Sequence, residues 1–178
     1  MDVVVLKNSH ELAHRAITKE GSDAVYPFGC GIYQWAVTYS DQLLDNFLSS
    51  HDGTDADFEV LKDVKVRIPS SIGWGQMITK TAEVSAGLWN EEFLSWGAED
   101  CEFYYRLNLF GFKVGRVIDD IYHFEHGRTF NSHYHNPKFQ DNDRLWNWIR
   151  TQDKESLTKY YGTLDYIKRR GKELHASL

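Results

Sequence analysis

The chain has 178 residues, enough to bury a sizeable core, and its 42% hydrophobic and 26% charged residues are typical of a globular protein in water. The net charge of −6 argues against a nucleic-acid-binding surface, and no apolar run approaches the length of a membrane span. Two distant cysteines, Cys30 and Cys101, do not make a disulfide scaffold, so we expect a reducing, cytoplasmic compartment.

The first third of the chain predicts alternating strands and helices. Residues 3–6 are a β-branched run that predicts a buried strand, and 24–26 predict a second one. Between them, Asn8 and Glu11 have the spacing of a capping box, so we expect a helix that Gly21 ends. This strand–helix–strand order is typical of parallel or mixed sheets.

The next predicted elements follow in chain order. Residues 32–39 predict a strand, and Ser40 caps a helix whose apolar residues are Leu43, Leu44, Phe47 and Leu48. Residues 58–68 fit either a short helix or an irregular segment. Gly73 and Gly75 flank Trp74, which predicts a loop that brings backbone close to a ligand or another segment.

The second half of the sequence predicts short strands and then helices. We expect a strand at 76–79, a helical turn at 81–85, and a helix that starts at Glu99-Asp100 and stops at Gly111. Strands at 112–118 and 121–125, a polar loop at 126–137 and two or three helices from 138 complete the chain. The fold class is therefore α/β, with a mixed sheet and flanking helices.

The turn before the Gly111-terminated helix is the first candidate site. Glu99 and Asp100 lie at a helix N-terminus, where the macrodipole favours ionised carboxylates. A sugar ring could stack on Trp96, with space beside it at Gly97, while Asp100 acts as a general base toward a hydroxyl. The alternative is that the two carboxylates only cap the helix.

Two histidines form the second candidate site. His123 and His126 are three residues apart, and residues three apart on a continuous strand point to opposite faces. They could share a metal ion only where the strand breaks, and Gly127 is a suitable place for the break. The alternative is that both histidines are structural.

Further acidic and histidine residues are candidate metal ligands. Asp2 begins a predicted strand, and ligands gather at the ends of strands in α/β sheets. Asp55 and Asp57 form an Asp-x-Asp sequence, but in a polar loop that reads as a solvated turn or a helix cap. The pair His133 and His135 is more typical of a loop; as a metal pair, it would indicate an unrelated hydrolase.

Taken in order, these motifs resemble GT-A-type glycosyltransferases, in particular the galactosyltransferase and N-acetylgalactosaminyltransferase C-terminal-domain family, which includes bacterial polysaccharide enzymes. The resemblance covers most of residues 1 to 131. It is carried by the following pieces: Gly73-Trp74-Gly75, Glu91-Glu92-Phe93, Trp96-Gly97-Ala98-Glu99-Asp100, Arg106-Leu107, Gly111, and Tyr122-His123 through His126-Gly127-Arg128. The family's turn reads Trp-Gly-Gly-Glu-Asp, so Ala98 replaces its second glycine.

The resemblance implies an inverting transfer of a hexose, galactose or N-acetylgalactosamine in type, from a UDP-sugar donor to a saccharide acceptor. Asp100 would be the base, and the acceptor sugar would contact Trp96, Gly97, Glu99, Trp74 and Gly75. A divalent metal, manganese in most of the family, would be held by Asp2 and by His126 or His123. Arg128 would lie near the donor diphosphate.

The resemblance also implies a division of the chain and a missing part. Residues 1–137 would be a partial GT-A-like catalytic domain, and 138–178 a helical extension packed on it. The first aspartate of the family's Asp-x-Asp motif and the nucleotide-binding half have no counterpart in this sequence. We therefore expect a second polypeptide or a dimer partner to supply that half; the alternative is a non-catalytic domain that binds carbohydrate or a partner.

Overall fold

The computed structural model describes residues 3–50, 57–68, 72–127, 129–132 and 134–176, with side chains as far as residue 170. The chain divides into two compact units, which are described separately: residues 1–77 with 114–127, and residues 78–113 with 128–178. The predicted domain boundary at residue 137 is not one of the limits of these units and stays a prediction. No helix in the described ranges combines the length and the apolar composition needed to cross a membrane.

The first unit is built on a four-stranded mixed sheet. In spatial order its strands are β1 (Val3–Val5), β7 (Ile121–Glu125), β3 (Gln34–Thr38) and β4 (Lys65–Arg67). Strands β3 and β7 are parallel, whereas β1 and β4 pair antiparallel to their neighbours. The predicted α/β class with a mixed sheet and flanking helices is confirmed. In residues 58–68 the predicted short helix is present as a 3-10 helix at Phe58–Leu61, whereas strand β4 was not expected.

A smaller sheet completes the strands of the chain's described part, in the order β5 (Met77–Ile78), β2 (Ala24–Tyr26) and β6 (Val114–Arg116). Strands β2 and β6 are parallel. The first helix, α1 (Lys7–Thr18), therefore connects strands of two different sheets, and the predicted strand–helix–strand unit within one sheet is wrong.

The start of α1 also differs from the prediction. The Leu6 carbonyl already accepts the first helical hydrogen bond, from the His10 N–H, and Leu6 makes no side-chain cap. Asn8 is thus inside the helix and is not its cap, because β1 turns directly into α1 without a loop.

The core of the first unit lies on one face of the larger sheet. Helix α2 (Asp41–Ser49) covers this face, and the Ser40 side chain accepts a hydrogen bond from the Leu43 N–H as the predicted cap. The buried cluster consists of Val37, Phe47, Leu61, Tyr122 and Phe124. Because side chains alternate along a strand, His123 and Glu125 of β7 lie on the opposite face from Tyr122 and Phe124.

The second unit is helical. Its helices are α3 (Lys80–Ser85), α4 (Glu99–Phe110), α5 (Phe139–Ile149), α6 (Lys154–Thr163) and α7 (Asp165–Ala176). The predicted start and stop of α4 are confirmed: the helix begins at Glu99, and Gly111 takes the left-handed C-terminal position at φ 86°. The buried cluster of the second unit consists of Phe93, Ile149 of α5, and Leu157 and Tyr161 of α6.

Candidate functional site

The turn of residues 95–98, hereafter the Trp96 turn, has an irregular backbone. Ser95, Gly97 and Ala98 all have positive φ angles, of 66°, 140° and 63°. Positive φ is uncommon for residues with a Cβ atom. Ala98 is therefore at a position that favours glycine, which matches the second glycine of the family's turn.

Trp96 is the aromatic platform of this turn. One face of its ring stacks on Phe139 of α5, with ring centroids 5.5 Å apart and planes 16° from parallel. The residue is nevertheless 38% exposed. A partly exposed aromatic ring of this kind is suited to stacking on a sugar ring.

Gly97 is required by close packing against α5. A Cβ atom at this position would lie 3.3 Å from Phe139 and 3.5 Å from Asn142. Together with its φ of 140°, this contact leaves little room for any other residue.

The two carboxylates after the turn have different roles. Glu99 accepts a hydrogen bond from the Gly97 N–H, 2.9 Å from its Oε2 atom. This bond holds the turn and does not cap the helix, because Gly97 precedes the N-cap residue Ala98, at which no side-chain cap forms. Among the described residues, no hydrogen bond shifts the pKa of Asp100. Its pKa is shifted by burial and by the negative charge of Glu99.

The surroundings of Asp100 shift its pKa in the direction opposite to the one expected from the helix N-terminus. Burial, followed by repulsion from Glu99, raises the pKa of Asp100 from its ordinary 3.8 to about 6. Loss of solvation penalises the charged form more than the helix N-terminus favours it. A carboxylate with a pKa near 6 is a stronger base than an ordinary aspartate and is still ionised at neutral pH.

Two asparagines that the sequence reasoning missed hold the Trp96 turn. Buried Asn142 accepts from the Leu94 N–H at 3.1 Å and donates to the Leu94 carbonyl at 3.0 Å and the Trp96 carbonyl at 3.3 Å. Buried Asn136 donates to the same Trp96 carbonyl at 2.9 Å. One signal was present: Asn142 occupies a position on the apolar stripe of α5, where a polar residue needs a specific partner.

A buried ion pair anchors α4 below the turn. Arg106 and Glu102 are fully buried, with Nε to Oε1 at 2.8 Å and Nη2 to Oε2 at 3.0 Å. The Tyr161 hydroxyl donates to Glu102, and Arg106 donates to the Ala86 carbonyl. Arg106, which the resemblance included, thus stabilises the helix that carries Asp100.

The histidine pair lies at the end of β7. The strand ends at Glu125, so the break precedes His126 and is one residue earlier than the suggested Gly127. The rings of His123 and His126 have centroids 5.7 Å apart. Trp74 stacks on His123, with centroids 5.2 Å apart and planes 18° from parallel. Gly75 beside it has a φ of 155°.

Each histidine has a defined neighbour at Nδ1. His123 Nδ1 is 2.8 Å from Glu125 Oε1, and His126 Nδ1 is 3.1 Å from the Gly127 carbonyl. These oxygens favour a proton on Nδ1 and a lone pair on Nε2, the usual arrangement of a histidine that binds metal. Among the described residues, no three His, Cys, Asp or Glu side chains form a metal-binding group.

The predicted site residues lie in different units or outside the described part of the chain. Asp2, Arg128 and His133 lie outside the described residues, and so does Asp55. The Trp96 turn belongs to the second unit, and the group of Trp74, His123 and His126 belongs to the first. Their convergence on one cleft stays a prediction.

Comparison with known proteins finds one family that part of the chain resembles. Residues 61–127 match a family model described as the N-terminal domain of galactosyltransferase. Neither a curated protein nor a solved structure matches the chain. The matched segment contains the Trp96 turn, Asp100 and both histidines, so this part of the chain is similar to a galactosyltransferase domain.

Proposed function

We propose that this chain takes part in transferring a hexose from a UDP-sugar to a hydroxyl of a saccharide acceptor, with inversion at the anomeric carbon. The observation that carries the proposal is the half-buried Asp100 carboxylate, raised in pKa, in a galactosyltransferase-like segment that also contains the partly exposed Trp96. Sugar rings stack on aromatic faces, and a nearby carboxylate can accept a proton from a sugar hydroxyl.

In the proposed reaction Asp100 is the general base. Its carboxylate takes the proton of the acceptor hydroxyl while the hydroxyl oxygen forms a bond to the anomeric carbon of the donor. The bond from that carbon to the diphosphate oxygen breaks, and UDP leaves with the bonding electrons. Attack on the face opposite the leaving group inverts the anomeric configuration.

The donor diphosphate would be held with a divalent cation, for which we propose manganese. His126 and His123 would be its ligands together with Asp2, and Arg128 would lie near the diphosphate. The two rings fit this role, since imidazoles that share a metal have centroids about 5 Å apart when metal–nitrogen bonds are about 2 Å long. Once bound, the cation supplies positive charge that stabilises the departing diphosphate.

The test is sugar transfer by this chain from a panel of UDP-hexoses to p-nitrophenyl glycosides, with and without manganese. We expect Asp100→Asn to lower kcat by roughly a hundredfold to ten-thousandfold, because a general base typically contributes that factor. Asp143→Asn makes the same chemical change at an exposed site on α5 and should leave kcat unchanged.

Two results would contradict the proposal. Equal transfer by the wild-type chain and Asp100→Asn would exclude Asp100 as the base. Calorimetry that detects sugar binding but no binding of UDP with manganese would favour a carbohydrate-binding module instead.

A further inference from the structure

The Trp96 turn has one regular backbone hydrogen bond, from the Glu102 N–H to the Ala98 carbonyl. Three of its four residues have positive φ angles, so they do not continue a helix or a strand. Besides Glu99, which accepts from the Gly97 N–H, the turn is held by groups outside the segment matched by the family model, from Asn131 to Asn142.

The strongest of these groups is the Asn142 amide. Because its carboxamide both accepts from the Leu94 N–H and donates to the Leu94 carbonyl, it replaces the backbone partner that this residue would have in a sheet. It is only 1% exposed, so water does not compete for these bonds.

The Trp96 carbonyl is fixed from two directions. Asn142 and Asn136 both donate to it, while the Trp96 N–H donates to the Asn131 carbonyl at 3.3 Å. Trp96 is thus held at its N–H, at its carbonyl and at the ring face that stacks on Phe139.

We propose that Asn142 and Asn136 are positioning residues for acceptor binding, which they serve by fixing the Trp96 turn. This inference rests on the proposed function, but its structural part can be tested without activity. It assigns the region after residue 135 a direct part in the acceptor site, although that region lies beyond the galactosyltransferase-like segment.

The structural test uses fluorine NMR of the full chain labelled with 5-fluorotryptophan, in which Trp96→Phe identifies the Trp96 signal among the six tryptophans. Asn142→Asp keeps the size of the side chain but removes its donor, so we expect the Trp96 signal to shift or broaden. The signals of Trp35 and Trp74, which belong to the other unit, should not change. Asn108→Asp makes the same change at an exposed site on α4 and should leave all six signals in place.

A milder variant covers the case in which Asn142→Asp fails to fold. Asn136→Asp keeps the acceptor for the Lys138 N–H, 2.7 Å away, and removes only the donor to the Trp96 carbonyl. A folded Asn136→Asp or Asn142→Asp protein with an unchanged Trp96 signal would overturn the inference.

The functional test is the effect on the two substrates of the transfer assay. Both variants should lower kcat/KM for the acceptor glycoside by roughly tenfold to a hundredfold, since small misplacements cost that much. KM for the UDP-hexose should stay the same. Lower thermal stability with unchanged kcat/KM would reduce the asparagines to a structural role and refute the proposal. If the wild type transfers no sugar, the proposed function fails, and the fluorine signals alone decide whether the asparagines fix the turn.

Discussion

At the scale of single residues, the surroundings of Asp100 lower the stability of the folded protein and make this carboxylate a stronger base. Burial and the charge of Glu99 both disfavour its ionised form, so the folded protein binds a proton there more tightly than the unfolded chain does. Because the folded pKa of about 6 lies above the ordinary 3.8, the free energy of unfolding falls as pH rises between these values. The penalty is complete above pH 6.

We therefore expect Asp100→Asn to increase the free energy of unfolding at pH 8 by about 1–2 kcal/mol, after allowance for solvent screening. The gain should disappear below about pH 3, where Asp100 is protonated in both states. Urea unfolding at the two pH values measures the difference, and the exposed Asp143→Asn should change it by less than about 0.5 kcal/mol. A variant that is less stable than the wild type at pH 8 would mean that Asp100 has a stabilising partner.

The wild-type pH dependence of kcat/KM tests the same group in the reaction. A base must be ionised, so the rate should rise from pH 5 and level off above about 6–7, following the raised pKa. A rise of kcat/KM centred near pH 4, which is typical of a solvated aspartate, would contradict the role of Asp100 as the base.

Ala98 shows a second residue-scale compromise. Its φ of 63° is costly for a residue with a Cβ atom, yet its methyl group packs against the core of the second unit. Ala98→Gly should change the free energy of unfolding by less than about 1 kcal/mol, because relief of strain offsets the lost methyl contact and the added chain entropy. Ala98→Val should cost about 2 kcal/mol or more, since β-branched residues rarely adopt this conformation. Urea unfolding of the two variants checks the contrast, and equal stabilities would rule out strain as the reason.

At the scale of elements, α4 is held by polar groups buried along its length. The bidentate pair of Arg106 and Glu102 needs partners for its remaining atoms, and Tyr161 and the Ala86 carbonyl provide them. A buried charge pair contributes little when complete but costs several kcal/mol when broken. The network therefore fixes the position of the helix more than it adds to stability.

Tyr161→Phe removes one hydrogen bond to Glu102 and the contact of Asn90 Nδ2, which is 3.3 Å from the hydroxyl. We expect a loss of about 1–2 kcal/mol in the free energy of unfolding, because the bond is buried and made to a charged group. Tyr105→Phe removes a hydroxyl with longer contacts, of 3.3 and 3.4 Å, and should cost less than about 0.5 kcal/mol. Thermal or urea unfolding measures both variants. Equal losses would indicate that Glu102 does not depend on Tyr161.

At the scale of the whole molecule, the two compact units each join segments that are distant in sequence. The second unit combines residues 78–113 with the C-terminal helices, so helix α4 packs against residues that follow it by forty or more positions. The C-terminal segment is thus part of the unit that carries Asp100.

Removing residues 138–178 tests this organisation. The truncation deletes Phe139, Asn142 and Tyr161, so we expect backbone amides of residues 99–110 to lose most of their protection in hydrogen exchange. Amides of β3 and β7, in the other unit, should keep more of theirs. Full protection of α4 in the shortened chain would instead support the predicted division at residue 137.

The sequence by itself determined most helices and strands of this protein and its likeness to galactosyltransferases. Hydrophobic spacing and end signals gave the bounds of α4, the Ser40 cap and strand β7, because these depend on interactions between residues close in sequence. The ordered motifs indicated a galactosyltransferase-like segment, which the family match confirms for residues 61–127. They could not show that β1 and β2 belong to different sheets, since sheet partners are chosen by distant segments.

Only the tertiary structure decided the environment of the candidate groups. Burial raises the pKa of Asp100, although its place at a helix start suggested the reverse, because desolvation depends on neighbours that local sequence does not specify. In the sequence, Asn142 is only a polar residue in a predicted helix. The structure shows that its amide bonds to Leu94 and Trp96, which lie 48 and 46 residues earlier in the chain. Contacts across such separations are fixed by packing and not by sequence spacing.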